Sequence, residues 1–138
     1  MRARALIAGL ALLGAIGTAA LASGGARRVV GNCFKSQARP ATVIIACADD
    51  NLVLIHVHWR SFGGPSAGAS GVYYVNDCIP YCAAGRFHSY PVKLVFSRAR
   101  PCPDGYDDYR LASATFTARR PPGLKVTAAL PLLCPLKG

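Results

Sequence analysis

The sequence predicts a small all-β domain, an antiparallel β-sandwich or barrel tied by disulfides and preceded by an N-terminal signal-peptide helix. Three observations carry this reading. Six cysteines lie beyond an apolar N-terminal stretch in a chain of 138 residues, and an even cysteine count in a short exported chain is the mark of a disulfide framework. Past the apolar stretch no long helical periodicity occurs, and short β-branched and aromatic runs take its place. Gly and Pro, 14 and 10 residues respectively, break the chain at the spacing of strands and turns.

Arg2 and Arg4 give the N-terminus its positive charge, residues 5–21 are uncharged and rich in Ala and Leu, and Ala20-Leu21-Ala22 is a small-x-small cleavage pattern. The apolar run is near the minimum that spans a bilayer, about 17 residues. Its Ala and Gly content, the cleavage pattern and Arg27-Arg28 beyond it favour a cleaved signal over an anchor. The cut falls after Ala22, with Ala20 the alternative. The expected division is a signal peptide over 1–22, an N-terminal extension over 23–39 and one disulfide-stapled β domain over 40–138. The expected product is secreted, with no stable membrane insertion after cleavage.

Cleavage removes two of the 16 Lys and Arg and none of the 6 acidic residues, all Asp, leaving a formal charge of +8. Such a surface attracts polyanions. The cations are dispersed, however, and only Arg27-Arg28 and Arg119-Arg120 are adjacent. With no basic block and no nucleic-acid motif, no specific nucleic-acid partner is expected.

Six strands are predicted. Residues 42–48 and 52–59 flank the turn cluster Asp49-Asp50-Asn51 and read as a hairpin. Strict alternation puts Val53, Ile55, Val57 and Trp59 on one face, and Leu52, Leu54, His56 and His58 on the other. Residues 67–75, 91–98, 110–118 and 124–130 complete the set, with turns at 61–65, 101–108 and Pro121-Pro122-Gly123. An immunoglobulin-like pattern fails, because no later cysteine follows a Tyr at the spacing of the corner motif.

The six cysteines, Cys33, Cys47, Cys78, Cys82, Cys102 and Cys134, read as structural disulfides. The expected pairing joins Cys33 to Cys134, with one of Cys78 and Cys82 reaching Cys47 and the other Cys102. A direct Cys78–Cys82 bridge is the rival. Zinc binding by cysteine would need a second close pair, and thioredoxin-type redox chemistry needs two intervening residues where Cys78 and Cys82 have three.

His56, His58 and His88 are weak candidates for a three-imidazole metal site, since alternate residues of a strand present two ligands on one face. The simpler reading makes them surface residues, so no metal, cofactor or catalytic residue is assigned. Asp49-Asp50-Asn51 and 104–108 offer oxygen ligands of the calcium type but lack the spacing of a calcium loop, and read as turns. Gly64-Pro65-Ser66-Ala67-Gly68 matches the nucleophile-elbow letters, but that elbow needs a helix after the serine, and Ala-Gly-Ala-Ser-Gly is a poor start for one. Trp59, Arg60, Phe62, Tyr81, Arg86 and Tyr90 have the composition of a binding surface. Ordinary core packing is the competing account of the aromatics.

The middle of the chain, roughly 40–96, resembles a group of uncharacterised small secreted actinobacterial proteins. The resemblance rests on Cys47-Ala48-Asp49-Asp50-Asn51, His58-Trp59, Ala67-Gly68-Ala69-Ser70-Gly71, Phe87-His88-Ser89-Tyr90-Pro91-Val92 and, most specifically, the N-D-C-x-P-x-C-A-x-G segment from Asn76 to Gly85. Asp50 stands where the pattern has Gly, and Phe62 where it has a second Trp. The resemblance implies export and a shared loop framework that includes His58 and His88, and no activity.

The function expected from the sequence is therefore a secreted, non-enzymatic domain. It would bind an extracellular protein or envelope polymer through loops 61–65 and 76–90, since loops on a stapled scaffold are the usual seat of function. A small metal-dependent hydrolase using the three histidines and a protease-inhibitor-like protein are the alternatives.

Overall fold

The structure is a computed structural model that describes residues 27–136; the signal-peptide helix expected over 1–22 lies outside them. The described chain is nearly all β, with strands β1 (Arg28–Asn32), β2 (Lys35–Gln37), β3 (Val43–Ile44), β4 (Leu52–Trp59), β5 (Ala67–Asn76), β6 (Phe87–Pro101), β7 (Asp107–Phe116) and β8 (Thr127–Pro131), and one 3-10 turn at Cys82–Ala84. All eight strands share one sheet in the order β2-β1-β7-β6-β5-β4-β3, with β8 also on β7. The sheet curls into a half-barrel.

The N-terminal extension expected over 23–39 supplies two of these strands. β1 runs parallel to β7, pairing Arg28 with Asp107 and Val29 with Asp108, and every other pairing is antiparallel. Val29-Val30 is too short a run to announce a strand without β7 to pair with.

A side chain links β1 to β3 across the open side of the half-barrel. Asn32, at the end of β1, donates from Nδ2 to the Thr42 carbonyl at 3.0 Å and accepts the Ile44 N–H on Oδ1 at 3.0 Å. One amide thus does what a strand neighbour would do, satisfying a donor and an acceptor that β3 would otherwise leave unpaired.

β4 departs from strict alternation. Ile55 pairs with Val72 and His58 with Ser70, so His56 and Val57 together face Gly71. His56 takes a left-handed φ of 52° at this bulge. The extra residue resets the faces, so Leu54 before it and Val57 after it both enter the core. This corrects the expected strict alternation, which put Leu54 with His56 and His58 on the face opposite Val57. Gly71 permits the close approach, since a β-carbon there would sit 3.2 Å from the Ile55 carbonyl oxygen and 3.5 Å from Val57 Cα.

The strands bury one apolar cluster as the core. Tyr109, Phe96, Leu54, Leu94, Val30 and Val43 are fully buried there, each large apolar side chain contributing about 1.5–3 kcal/mol relative to exposure.

The disulfides are Cys33–Cys47, Cys78–Cys82 and Cys102–Cys134. The rival Cys78–Cys82 bridge forms, and the expected Cys33–Cys134 tie does not. Topology gives the reason. Asn32 brings the end of β1 to β3, which places Cys33 beside Cys47. The chain after β8 continues antiparallel along β7, with the Leu132 N–H bonded to the Arg110 carbonyl. It therefore reaches the β6–β7 turn and meets Cys102.

Candidate functional site

The residues expected to form one binding surface separate into two groups. Trp59, Phe62 and Tyr90 pack inward. Trp59 donates from Nε1 to the Pro40 carbonyl at 2.9 Å and lies 4.6 Å from the Phe96 ring and 4.9 Å from Phe62. Phe62 meets Tyr109 edge-on at 5.9 Å, with the Arg39 guanidinium 5.5 Å from its centroid. Tyr90 meets Phe116 edge-on. Loop 61–65 is pinned as well, because the Tyr109 hydroxyl accepts the Gly63 N–H and donates to the Gly64 carbonyl. Ser66 is followed directly by β5, so the nucleophile-elbow letters lack their helix. Trp59, Phe62 and Tyr90 thus belong with the core, while Arg60, Tyr81 and Arg86 are exposed.

The imidazoles do not meet. His58 pairs with Ser70, which pairs with Lys93 on β6. His88 lies five residues further along β6, about 17 Å away. Among the described residues no group of three His, Cys, Asp or Glu side chains is arranged to hold a metal, so the three-histidine centre does not form.

The acidic clusters shape turns. Asp49 Oδ1 accepts the Asn51 N–H, and Asp104 Oδ1 accepts the Tyr106 N–H. Asp108 is fully buried on β7. Ser36 Oγ lies 3.0 and 3.1 Å from its two oxygens and 2.6 Å from Asp104 Oδ2. One hydroxyl proton cannot serve two carboxylates, and the set is satisfied when Asp108 carries a proton and donates to Ser36, which donates to Asp104. Burial pushes the Asp108 carboxyl above its ordinary range, with the Ser36 hydrogen bond opposing.

What remains outside is the loop between β5 and β6, and it is built from its base upward. Asn76, nearly buried at the end of β5, donates from Nδ2 to Asn51 Oδ1 at 2.9 Å and to the Cys82 carbonyl at 2.8 Å, and accepts the Cys78 N–H at 2.9 Å. Asp77 Oδ1 accepts the N–H groups of Ile79 and Arg86, and its Oδ2 meets His88 Nε2 at 2.9 Å. The His88 contact, followed by the two backbone donors, holds the Asp77 carboxyl down at about 2. Gly85 fits beneath, where a β-carbon would collide with Asn76 Oδ1 and lie 2.8 Å from the Cys78 nitrogen.

Above this base the Cys78–Cys82 bridge closes a five-residue ring whose end Cα atoms are 3.7 Å apart. It holds Ile79 at 71% and Tyr81 at 64% exposure, with Phe87, 41% exposed, beside it and stacked on Tyr74 at 4.7 Å. Sequence reasoning included Tyr81 and missed Ile79; the signal available was an apolar residue between two close cysteines. With both sulfurs bonded the ring offers no free thiol. It can present a fixed apolar tip.

A scan against protein-family models, a search of curated proteins and a search of solved structures each returned no match. The class defined by fold and site is accordingly a disulfide-tied β half-barrel carrying a closed, apolar-tipped loop. Three disulfides in so small a domain fit an oxidising, extracellular setting.

Proposed function

We propose that this chain is an exported, non-enzymatic domain that binds an extracellular protein through the ring at 78–82. The observation that carries the reading is the contrast between tip and base. Ile79 and Tyr81 are the two most exposed large apolar groups of the β5–β6 loop, yet the loop beneath them is fixed by the hydrogen bonds of Asn76 and Asp77. Exposed apolar side chains on a pre-ordered support bind with little ordering cost. Export is supported by the N-terminal pattern of residues 1–22 and by the disulfides.

A protease-inhibitor role is less well supported. A loop that fills a protease cleft lies there as a strand, and five extended residues would span about 13 Å, against the 3.7 Å between the ends of this ring.

The experiment is site-specific photo-cross-linking in cells that make the protein. A photoreactive phenylalanine analogue at position 81 should give one discrete adduct, lost on adding Ile79→Ser. The same probe at exposed Arg98 should give none. Equal labelling from both positions, or no adduct from position 81, would refute the reading. N-terminal sequencing of the exported protein should begin after Ala22 or Ala20.

A further inference from the structure

We infer that a second site, independent of the ring, binds the phosphate groups of an anionic polymer of the cell envelope. It is a groove of ≈ 280 Å³ lined by His88, Ser89, Tyr90, Arg119, Arg120 and Pro122. None of these six residues is acidic, and two are adjacent arginines.

The fold builds this groove from two distant stretches of chain. Thr117, just past β7, donates from its N–H and its hydroxyl to the Pro91 carbonyl at 3.1 and 3.3 Å. That contact fixes the β7–β8 connection against the start of β6. Arg120 Nε donates to the Leu124 carbonyl at 2.8 Å, and the Leu124 N–H bonds the Pro121 carbonyl. The connection is therefore a shaped turn, and the Arg120 guanidinium is anchored to it through one of its own N–H groups, Nε. On the facing side, His88 is oriented by Asp77 and Tyr90 is braced against Phe116.

The chemistry selects the ligand. A guanidinium presents paired N–H donors that match the oxygens of a phosphate, and two side by side match a charged, repeating chain better than a single small anion. The Ser89 hydroxyl adds a donor, and the imidazole and phenol rings give the groove flat walls. A polymer of the envelope is favoured over a nucleic acid for two reasons. The disulfides fit an extracellular setting, and the other cations are dispersed along the sequence with no basic block.

The test is titration of the purified disulfide-bonded protein with poly(glycerol phosphate), read by fluorescence anisotropy at several salt concentrations. The sole tryptophan, Trp59, reports that each variant is folded. Arg119→Gln/Arg120→Gln should weaken binding at least about tenfold and flatten the salt dependence by roughly one counterion or more. Arg98→Gln/Arg100→Gln, which removes the same charge from exposed positions elsewhere on β6, should change affinity by less than about twofold. Backbone amide shifts on adding the polymer should centre on residues 88–90 and on Arg119, Arg120 and Gly123, since Pro121 and Pro122 carry no amide proton. Equal loss in both variants would reduce the effect to net charge and overturn the site. Failure of the wild-type protein to bind, or tighter binding of a single-stranded oligonucleotide of equal charge, would overturn it too. Because Ile79 and Tyr81 take no part, failure here leaves the ring reading intact, and Ile79→Ser/Tyr81→Ser should bind the polymer as wild type does.

Discussion

Gly85 lies directly under Asn76, so close that a β-carbon at position 85 would overlap Asn76 Oδ1. That oxygen is also the acceptor for the Cys78 N–H at 2.9 Å. The absence of a side chain at one position thus lets a single amide fix the entry to the ring.

Gly85→Ala should therefore act on the loop before it acts on the sheet. The added methyl must push Asn76 or the Cys78 backbone aside, which costs about 1–3 kcal/mol for a close-packed position. Amide exchange in residues 76–85 should accelerate while that of β6 and β7 stays near wild type. Urea unfolding and exchange measured on the same sample check this, and unchanged exchange in the loop would contradict it.

The three disulfides should separate stability from binding. Loop-closure entropy scales with the span enclosed, and the sequence separations are 32 for Cys102–Cys134, 14 for Cys33–Cys47 and 4 for Cys78–Cys82. Replacing each pair by serine should cost about 4, 3 and 2 kcal/mol respectively. The Cys78–Cys82 pair should rank last in stability and first in lost binding of the extracellular partner. Urea midpoints followed by Trp59 fluorescence, with the cross-linking yield from position 81, test the ordering.

Two aspartates should pull stability in opposite directions with pH. The folded-state pKa of Asp108 is raised chiefly by burial, so the native state holds that proton more tightly than the unfolded chain. Stability should fall as pH rises from the unfolded value, about 4, through the raised native value. Asp108→Asn, which keeps a donor for Ser36 without the charge, should have the higher Tm at pH 7, with the difference closing towards pH 4. A difference independent of pH would contradict this.

Asp77 is held at about 2, mainly by His88. Its contribution is present above the unfolded value and lost as pH falls towards 2. Asp77→Asn should flatten that acid limb in thermal melts from pH 5 to pH 2, and an unchanged acid limb would contradict the assignment.

The sequence announced the all-β class because β4 to β7 carry their own β-branched and aromatic patterns, and β4 was readable to the residue. Several features were not local and could not be read. β1 exists because β7 offers it an edge. β3 ends at Ile44 because the next two N–H groups, of Ile45 and Ala46, both turn onto the Leu52 carbonyl. The bulge at His56 turns on one backbone angle, and alternation alone put Leu54 on the wrong face. The pairing of Cys33 with Cys47 depends on the Asn32 link between β1 and β3. At the candidate site, Tyr81 was legible from composition, while the inward packing of Trp59 and Phe62 depended on Phe96 and Tyr109 from strands far along the chain. Ile79 is apolar by type, and its exposure follows from the short ring between Cys78 and Cys82.

The central claim is that Ile79 and Tyr81 are held out as a contact surface. Its most direct measurement is saturation binding of labelled protein to the surface and secreted proteins of the cells that make it, comparing wild type with Ile79→Ser/Tyr81→Ser. Burying each side chain should contribute about 1.5–3 kcal/mol, and about 1.4 kcal/mol is tenfold in affinity. The account predicts saturable, protease-sensitive binding that weakens at least about tenfold in the double variant, with its unfolding midpoint unchanged. Binding that is not saturable, or a double variant that binds as wild type does, would contradict it.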